Sequence, residues 1–320
     1  MKMRNIIVPV LCVLMVIVGL LSGSSCQSRQ PSGLLRTVWS EEIPLKGGLS
    51  GAAIDKVSDG KKTYVVRYFR NKGDAYIKRE ILAQKIASDG GYGPHVYAYD
   101  DKKIIMSFLE ATEETIDPAA KAFKMAELLK KIHNGPAFGE RESLVHQGNR
   151  LLARVTMYPK GVDKNIIVSI VNKLAAFPIV NKSPIHGDLN PNNILLVNGE
   201  YKVIDFENAG QDDPLFDVAT ILLYNFANTP YESEFLHYYF GHILSREEIA
   251  HLNVMKQAVL LDAGLTLLSR IQPDIIEQAG DPVDFYELLN AYNQGKLSIE
   301  DPYNVLKIAQ SMLKMVIDLE

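Results

Sequence analysis

Residues 186–195 read His186-Gly187-Asp188-Leu189-Asn190-Pro191-Asn192-Asn193-Ile194-Leu195, and the chain continues to Ile204-Asp205-Phe206-Glu207. Asp188 and Asn193 stand five positions apart. Between them and Asp205 lie two apolar runs, Ile194–Val197 and Tyr201–Asp205, separated by Asn198-Gly199. Asn-Gly flanked by strand-forming residues is a strong hairpin signal. An Asp-x-x-x-x-Asn pair alone is common, but one followed by such a hairpin with an Asp at its exit is not. The pattern supplies one carboxylate able to take a hydroxyl proton. It also supplies two oxygen ligands, enough for Mg²⁺, which keeps waters and phosphate oxygens as its other ligands. One known template for phosphoryl transfer has these groups at the same spacing: an Asp, four residues, an Asn, then an Asp-Phe pair. Glu207 stands where the protein-kinase pattern has glycine.

Upstream, residues 37–109 read as strands around one helix. Thr37–Leu45, Ala52–Val57 and Thr63–Phe69 are strands, with Asp59-Gly60 turning the second into the third. Ala75–Ser88 reads as a helix stopped by Gly90-Gly91, and His95–Tyr99 and Lys103–Leu109 form a second hairpin. Gly47-Gly48-Leu49-Ser50-Gly51 falls between the first two strands, where glycines let backbone N–H groups approach phosphates. Residues 110–117 are polar and acidic, a candidate hinge. Beyond them the periodicity turns helical: Ala119–His133, then stretches near 142–157, 163–176, 215–227, 246–270, 283–293 and 303–318. The expected fold is two-lobed α+β. A five-stranded antiparallel sheet with one helix is followed by a larger, mainly helical lobe holding a small hairpin.

In its motifs the chain resembles the aminoglycoside phosphotransferase and choline/ethanolamine kinase superfamily. The residues carrying this are His186 to Leu195, Ile204-Asp205-Phe206-Glu207-Asn208-Ala209-Gly210 and Asp212-Asp213-Pro214-Leu215-Phe216-Asp217. The second and third groups are similar to the bacterial LicA-like choline kinase branch, and the resemblance spans roughly residues 35–270. It implies a protein-kinase-like fold, with lobes at 32–110 (nucleotide) and 111–320 (catalysis and acceptor). It also implies ATP and Mg²⁺ as cofactors, Asp188 as catalytic base, and Asn193 and Asp205 as Mg²⁺ ligands. Gly47, Gly48, Ser50, Gly51, Arg67, Glu80, Ser107 and Leu109 then bind nucleotide. Arg67, in the third strand, takes the place of the kinase lysine against the α- and β-phosphates, a use suited to its fork geometry. Glu80 pairs with Arg67, and the backbone of Ser107 and Leu109 holds adenine. His186 and Asp217 brace the loop.

The acceptor is written less clearly. A quaternary ammonium asks for an aromatic cage and carboxylates. The single tryptophan, Trp39, falls in the first strand, where a core role is expected. Aromatics from Tyr224 to Phe240 are available but lie at core-like helical spacing. Glu207 and Asp213 are the candidate carboxylates for a cationic acceptor. Asp274, Glu277, Asp281 and Asp284 read as a solvated acidic face. The expected substrate is the hydroxyl of a small cationic alcohol, of choline or ethanolamine type. An aminoglycoside- or thiamine-type kinase, and a membrane-tethered kinase-like binding module without activity, are the alternatives.

The rest of the composition bounds the reading. With 320 residues, 47% apolar and 22% charged, the chain is long and apolar enough to bury a large core. Its net charge of −4 gives no basic surface for nucleic acid. The two cysteines, Cys12 and Cys26, both lie near the N-terminus, so the remainder holds neither a disulfide nor a cysteine metal site. Lys2 and Arg4 precede an apolar run, Ile6–Leu21, and small residues lead to Cys26. Residues 1–31 therefore read as a signal or membrane-anchor segment and tether, with a possible lipoprotein site at Cys26. Membrane association through this segment is expected. A cytoplasmic location follows instead if the start codon lies further downstream.

Overall fold

The structure, a computed structural model, describes residues 33–45, 53–70, 72–112 and 115–320. The expectations for residues 1–31, including Cys26, and for Gly47, Gly48, Ser50 and Gly51 lie outside the described residues. No helix among the described residues is long and apolar enough to cross a membrane.

Five strands form the first sheet: β1 (Glu41–Leu45), β2 (Ala53–Ser58), β3 (Thr63–Tyr68), β4 (Val96–Tyr99) and β5 (Lys103–Ser107), all antiparallel in the order β1-β2-β3-β5-β4. Two hairpins are fixed by aspartates. Asp59 Oδ1 accepts the N–H groups of Lys61 and Lys62, and Asp100 Oδ1 those of Lys102 and Lys103, all at 2.8 Å. Alternation along β3 sorts its side chains. Tyr64 and Val66 enter one small core with Val57, Ala98 and Ile105. Val65 packs on the other face, with Ile104, Met106 and the helix α1 (Asp74–Asp89), which contributes Ile77 and Ile81. Arg67 shares that second face by register, which aims it at α1.

The second lobe comprises α2 (Pro118–His133), α3 (Gly148–Leu152), α4 (Lys164–Ala175), β6 (Ser183–Ile185), β7 (Ile194–Val197), β8 (Glu200–Val203), β9 (Gly210–Asp212), α5 (Leu215–Ile221), α6 (Glu232–Phe240), α7 (Arg246–Leu268), α8 (Pro273–Ile276), α9 (Phe285–Asn293) and α10 (Pro302–Asp318). One large apolar core unites these helices. β7 and β8 form the expected hairpin, with Asn198 and Gly199 at φ 50° and 76°, and β6 pairs with β9 in a separate two-stranded sheet. The connection between the lobes is anchored where Thr112 donates its N–H to Leu196 O (2.7 Å).

Several boundaries differ from expectation for local reasons. β1 starts at Glu41 rather than Thr37. Leu34–Arg36 form a 3₁₀ turn, and Trp39, ahead of the strand, packs its ring on Tyr64 at 5.5 Å. The helix expected over 142–157 is a 3₁₀ turn capped by Ser143 and then the short α3. A Cβ at Gly148 would meet Val171 at 2.9 Å, so a glycine sits where α3 presses on α4. β8 stops at Val203 because Asp205 adopts φ 65° and leaves the strand. The β6–β9 pair, α6 and α8 were not expected. α6 is rich in aromatics, which have only modest helix propensity, and tertiary packing of Phe235 holds it.

Candidate active site

The candidate catalytic loop follows β6. Gly187 has φ 77°, and a Cβ there would lie 2.6 Å from Asn208 O. Only glycine lets the chain before Asp188 run this close to the turn after Asp205. Asp217, fully buried at the start of α5, accepts the N–H groups of His186 and Gly187, each at 2.8 Å. Its Oδ2 also lies 3.2 Å from His133 Nε2. His186 Nε2 is 3.0 Å from Ile204 O, tying the loop to the residue before Asp205. Burial holds the His186 pKa below its ordinary value, so the ring is a neutral strut. His186 and Asp217 thus stand where a bracing role requires.

Asp188 points from this loop into a cleft. Asn190 Nδ2 donates to its Oδ1 at 2.8 Å, which fixes the carboxylate's orientation. Burial pushes the Asp188 pKa up to about 7, against the hydrogen bond from Asn190. Asn193 donates its Nδ2–H to Asp188 O (2.9 Å), which leaves the amide oxygen for another partner. The backbone also links these residues, because Ile204 donates its N–H to Asn193 O at 3.0 Å. The hairpin β7–β8 therefore brings Asn193 and Asp205 side by side.

Arg67 enters from the other lobe. Its Nε pairs with Glu80 Oε1, while Nη2 lies 2.9 Å from Glu207 Oε2 and 3.2 Å from Asp205 Oδ1. Burial opposes the guanidinium's charge, but Asp205, Glu80 and Glu207 together raise its pKa above the ordinary value. Burial raises Glu80 and Asp205, and Arg67 opposes both shifts. Among the described residues Arg67 Nη1, Glu80 Oε2 and Asp205 Oδ1 are buried without a hydrogen-bond partner. A buried donor and a buried carboxylate oxygen without hydrogen bonds, beside an Asp205 Oδ1 held only by the ion pair to Arg67, fit a nucleotide phosphate and its cation, which would satisfy them. Asn193 and Asp205 are one amide and one carboxylate, the sparse protein ligation Mg²⁺ accepts.

Glu207 lines the cavity beside Asp205 and is tied to the first lobe. Its carboxylate is held by Arg67, with Lys72 Nζ and Tyr76 OH each at 3.5 Å, because the left-handed Asp205 and the 3₁₀ turn Phe206–Asn208 swing it toward the nucleotide lobe. Asp213 is 2% exposed and turned inward, accepting Leu215 N–H (2.9 Å) and lying 2.7 Å from His251 Nε2. It anchors α5 and α7 rather than a ligand. Ser107 donates its N–H to His95 O (2.8 Å) within the sheet, so its carbonyl is the backbone group left for the expected adenine contact there. Asp274, Glu277, Asp281 and Asp284 are exposed, as a solvated face should be.

The cleft opens into a cavity of about 440 Å³ whose walls come mainly from helices. On α7 the residues Val259, Asp262, Ala263, Thr266 and Leu267 line it at helical spacing. Tyr224, Phe285 and Tyr292 add aromatic surface, and α10 closes the far end with Val305, Ile308 and Met312. Tyr292 donates its hydroxyl to Asn192 Oδ1 (3.1 Å), tying α9 to the catalytic loop. Asp262 is the residue the sequence reading missed. It has no ion-pair or hydrogen-bond partner among the described residues, and burial pushes its pKa up to about 6, against Arg141 and Arg150. Burial raises the Tyr224 pKa, the charges of Asp188 and Asp262 add to the shift, and all three residues line the cavity. A lone Asp in the apolar run Ala258–Leu265 was the available signal.

The model of the phosphotransferase enzyme family matches residues 42–250, more than half of the chain. The chain belongs to this family. A LicA homolog of Mycoplasma capricolum is 26% identical over 162 residues, covering 48% of this chain and 65% of that relative, just under two thirds of its length. Among solved structures, choline kinase LicA of Streptococcus pneumoniae superposes with a TM-score of 0.57 at 19% identity, over 85% of this chain and 92% of that one. A spectinomycin phosphotransferase bound to ADP and spectinomycin gives 0.57 at 12% identity, over 87% and 93%. At these identities the two structures share the fold. Asp188, Asn193, Asp205 and Arg67 lie inside the family match, whereas Asp262, Phe285 and Tyr292 lie beyond it.

Proposed function

We propose that this phosphotransferase moves the γ-phosphoryl group of ATP to the hydroxyl of a small amino alcohol. The observation that carries the reading is the grouping of Asp188, Tyr224 and Asp262 around one cavity that abuts Asn193 and Asp205. Asp188, oriented by Asn190, takes the proton of the acceptor hydroxyl. The hydroxyl oxygen bonds to the γ-phosphorus as the bond to the β–γ bridging oxygen breaks, and ADP leaves. Asp262 faces the acceptor's ammonium, and Tyr224 and Phe285 flank it with ring surface. Arg67, held by Glu80, offers Nη1 to the phosphates. Asn193 and Asp205 would hold Mg²⁺, which when bound neutralises phosphate charge and aligns the reacting oxygens.

A second reading, an aminoglycoside-type acceptor, is favoured by the cavity's size: at roughly 30 Å³ per water it has room for far more than an amino alcohol. Retention of Asp188, Asn193, Asp205 and Arg67 in mutual reach speaks against a silent binding module. The test is product identification by phosphorus NMR after incubation with Mg-ATP and, separately, ethanolamine, choline, thiamine and an aminoglycoside. A phosphomonoester on an amino alcohol supports the reading; a phosphorylated aminoglycoside alone overturns it.

A further inference from the structure

One stretch of the cavity lining is rich in donors. Gln147, Arg150, Leu151 and Arg154 line it at spacings of three, four and seven residues, so they occupy one face of α3 and the turn after it. Gln147 is 6% exposed, and its Nε2 has no hydrogen-bond partner among the described residues. Its Oε1 already accepts from Arg150, which holds the amide so that the N–H₂ group is the end left over. No carboxylate among the described residues pairs with Arg154, and Arg150 reaches only Glu142, at 3.7 Å on the surface. Arg270, past the end of α7, adds a third guanidinium to the lining. It follows Asp262 by eight residues, about 12 Å of helix at 1.5 Å per residue. The cavity is thus dipolar: carboxylates at Asp188 and Asp262, and guanidiniums with a buried amide donor at Gln147, Arg150 and Arg154.

A purely cationic acceptor would use half of this lining and leave Gln147 Nε2 unsatisfied. A polycation such as an aminoglycoside would be repelled by the arginines. We propose that the natural acceptor is a dipolar alcohol that carries, besides its hydroxyl and ammonium, a carboxylate or similar oxyanion bound by Gln147, Arg150 and Arg154. The inference rests on the amino-alcohol reading above and extends it. The hydroxyl meets Asp188, the ammonium meets Asp262, and the oxyanion receives charge-assisted bonds from the two arginines and fills the open valence of Gln147. A site built to hydrogen-bond a group rejects the analogue that lacks it, because its own polar groups then stay unpaired.

Ethanolamine and serine test this, because serine is ethanolamine with one added carboxylate. The measurement is kcat/KM for both on the full chain, with the phosphonate analogue of serine as a third arm that separates a carboxylate from a phosphate-like dianion. Serine, or its phosphonate analogue, is expected to exceed ethanolamine at least tenfold. In the Arg150→Gln/Arg154→Gln double variant the ratio should fall to near one, and Arg154→Lys should keep part of it. Both arginines are exposed, so folding is not at stake. Ethanolamine used as well as or better than serine and the phosphonate would overturn the dipolar acceptor while leaving the amino-alcohol reading intact. A serine preference that survives in the double variant would overturn the assignment to these residues. If no amino alcohol, choline included, is phosphorylated while another class of alcohol is, the amino-alcohol reading and this inference fall together.

Discussion

Between His186 and Asp217 the polar groups brace one another, whereas the wall from Val259 to Met312 leaves its carboxylate, Asp262, without a hydrogen-bond or ion-pair partner among the described residues. In the first region Asp217 holds two backbone amides, His186 holds Ile204, and Asn190 holds Asp188. Each bond fixes an atom that must be in place before a phosphate arrives. In the second region α7, α9 and α10 offer one face each, and apolar packing does the positioning. The difference teaches where each kind of specificity resides. A loop held in place by its own hydrogen bonds suits chemistry common to many acceptors, and a wall built from separate helix faces can be retuned by single side chains. The family match ends at residue 250, before that wall begins.

The sharpest break between the two regions is expected at the loop. Asp188→Asn should lower turnover by roughly 10²–10⁴-fold, the usual worth of a general base, while calorimetric affinity for Mg-ATP stays near wild type. A loss of both together would mean that Asp188 serves binding rather than proton transfer.

This loop was legible because its information is local. Spacing, an Asn-Gly turn and a strand on each side place Asp188, Asn193 and Asp205 without any knowledge of the rest. The five-stranded sheet was legible for the same reason, through alternation and Asp-anchored turns. The cavity lining was not, because Gln147, Tyr224, Asp262 and Met312 come from four separated segments and each looks ordinary in its own. Glu207 shows the limit from the other side. Its adjacency to Asp205 was visible, but the left-handed backbone that turns it onto Arg67 was not. Asp213 was likewise visible, and only His251, distant in sequence, reveals it as an anchor.

Next in size is the buried cluster that joins the lobes. Glu80→Ala removes one partner of a guanidinium that is 5% exposed and should destabilise the fold by about 3 kcal/mol in a denaturant titration. Glu207→Ala, which leaves Glu80 in place, should cost less. Equal costs would show that Arg67 is held by the metal-side carboxylates rather than by α1.

Smaller still, and confined to the wall, is Asp262→Asn. It should raise KM for ethanolamine about tenfold, the worth of one charge-assisted hydrogen bond, with kcat changed by less than about threefold. A fall in kcat instead would move Asp262 into the catalytic machinery and erase the distinction between the regions.

The least effect expected is on stability against pH. Burial places the folded pKa of Asp262 at about 6, above its ordinary value, so the folded state holds this proton more tightly than the unfolded chain. Its contribution to stability is therefore present below the unfolded pKa near 4 and is lost as pH rises toward 6. Denaturant midpoints between pH 4 and 6.5 should show a shallower decline for Asp262→Asn than for wild type. Parallel curves would mean that the carboxylate is solvated in the open cavity.

The account as a whole stands on phosphoryl transfer at Asp188 to an acceptor seated against Asp262. The most direct measurement is initial-rate ADP formation with Mg-ATP and an amino alcohol, on wild type, Asp188→Asn and Asp262→Asn side by side. The account predicts acceptor-dependent ADP release in wild type, its near-abolition in Asp188→Asn at any acceptor concentration, and its recovery in Asp262→Asn as acceptor is raised. ADP release in wild type that does not depend on an amino alcohol, or that survives in Asp188→Asn, would contradict it.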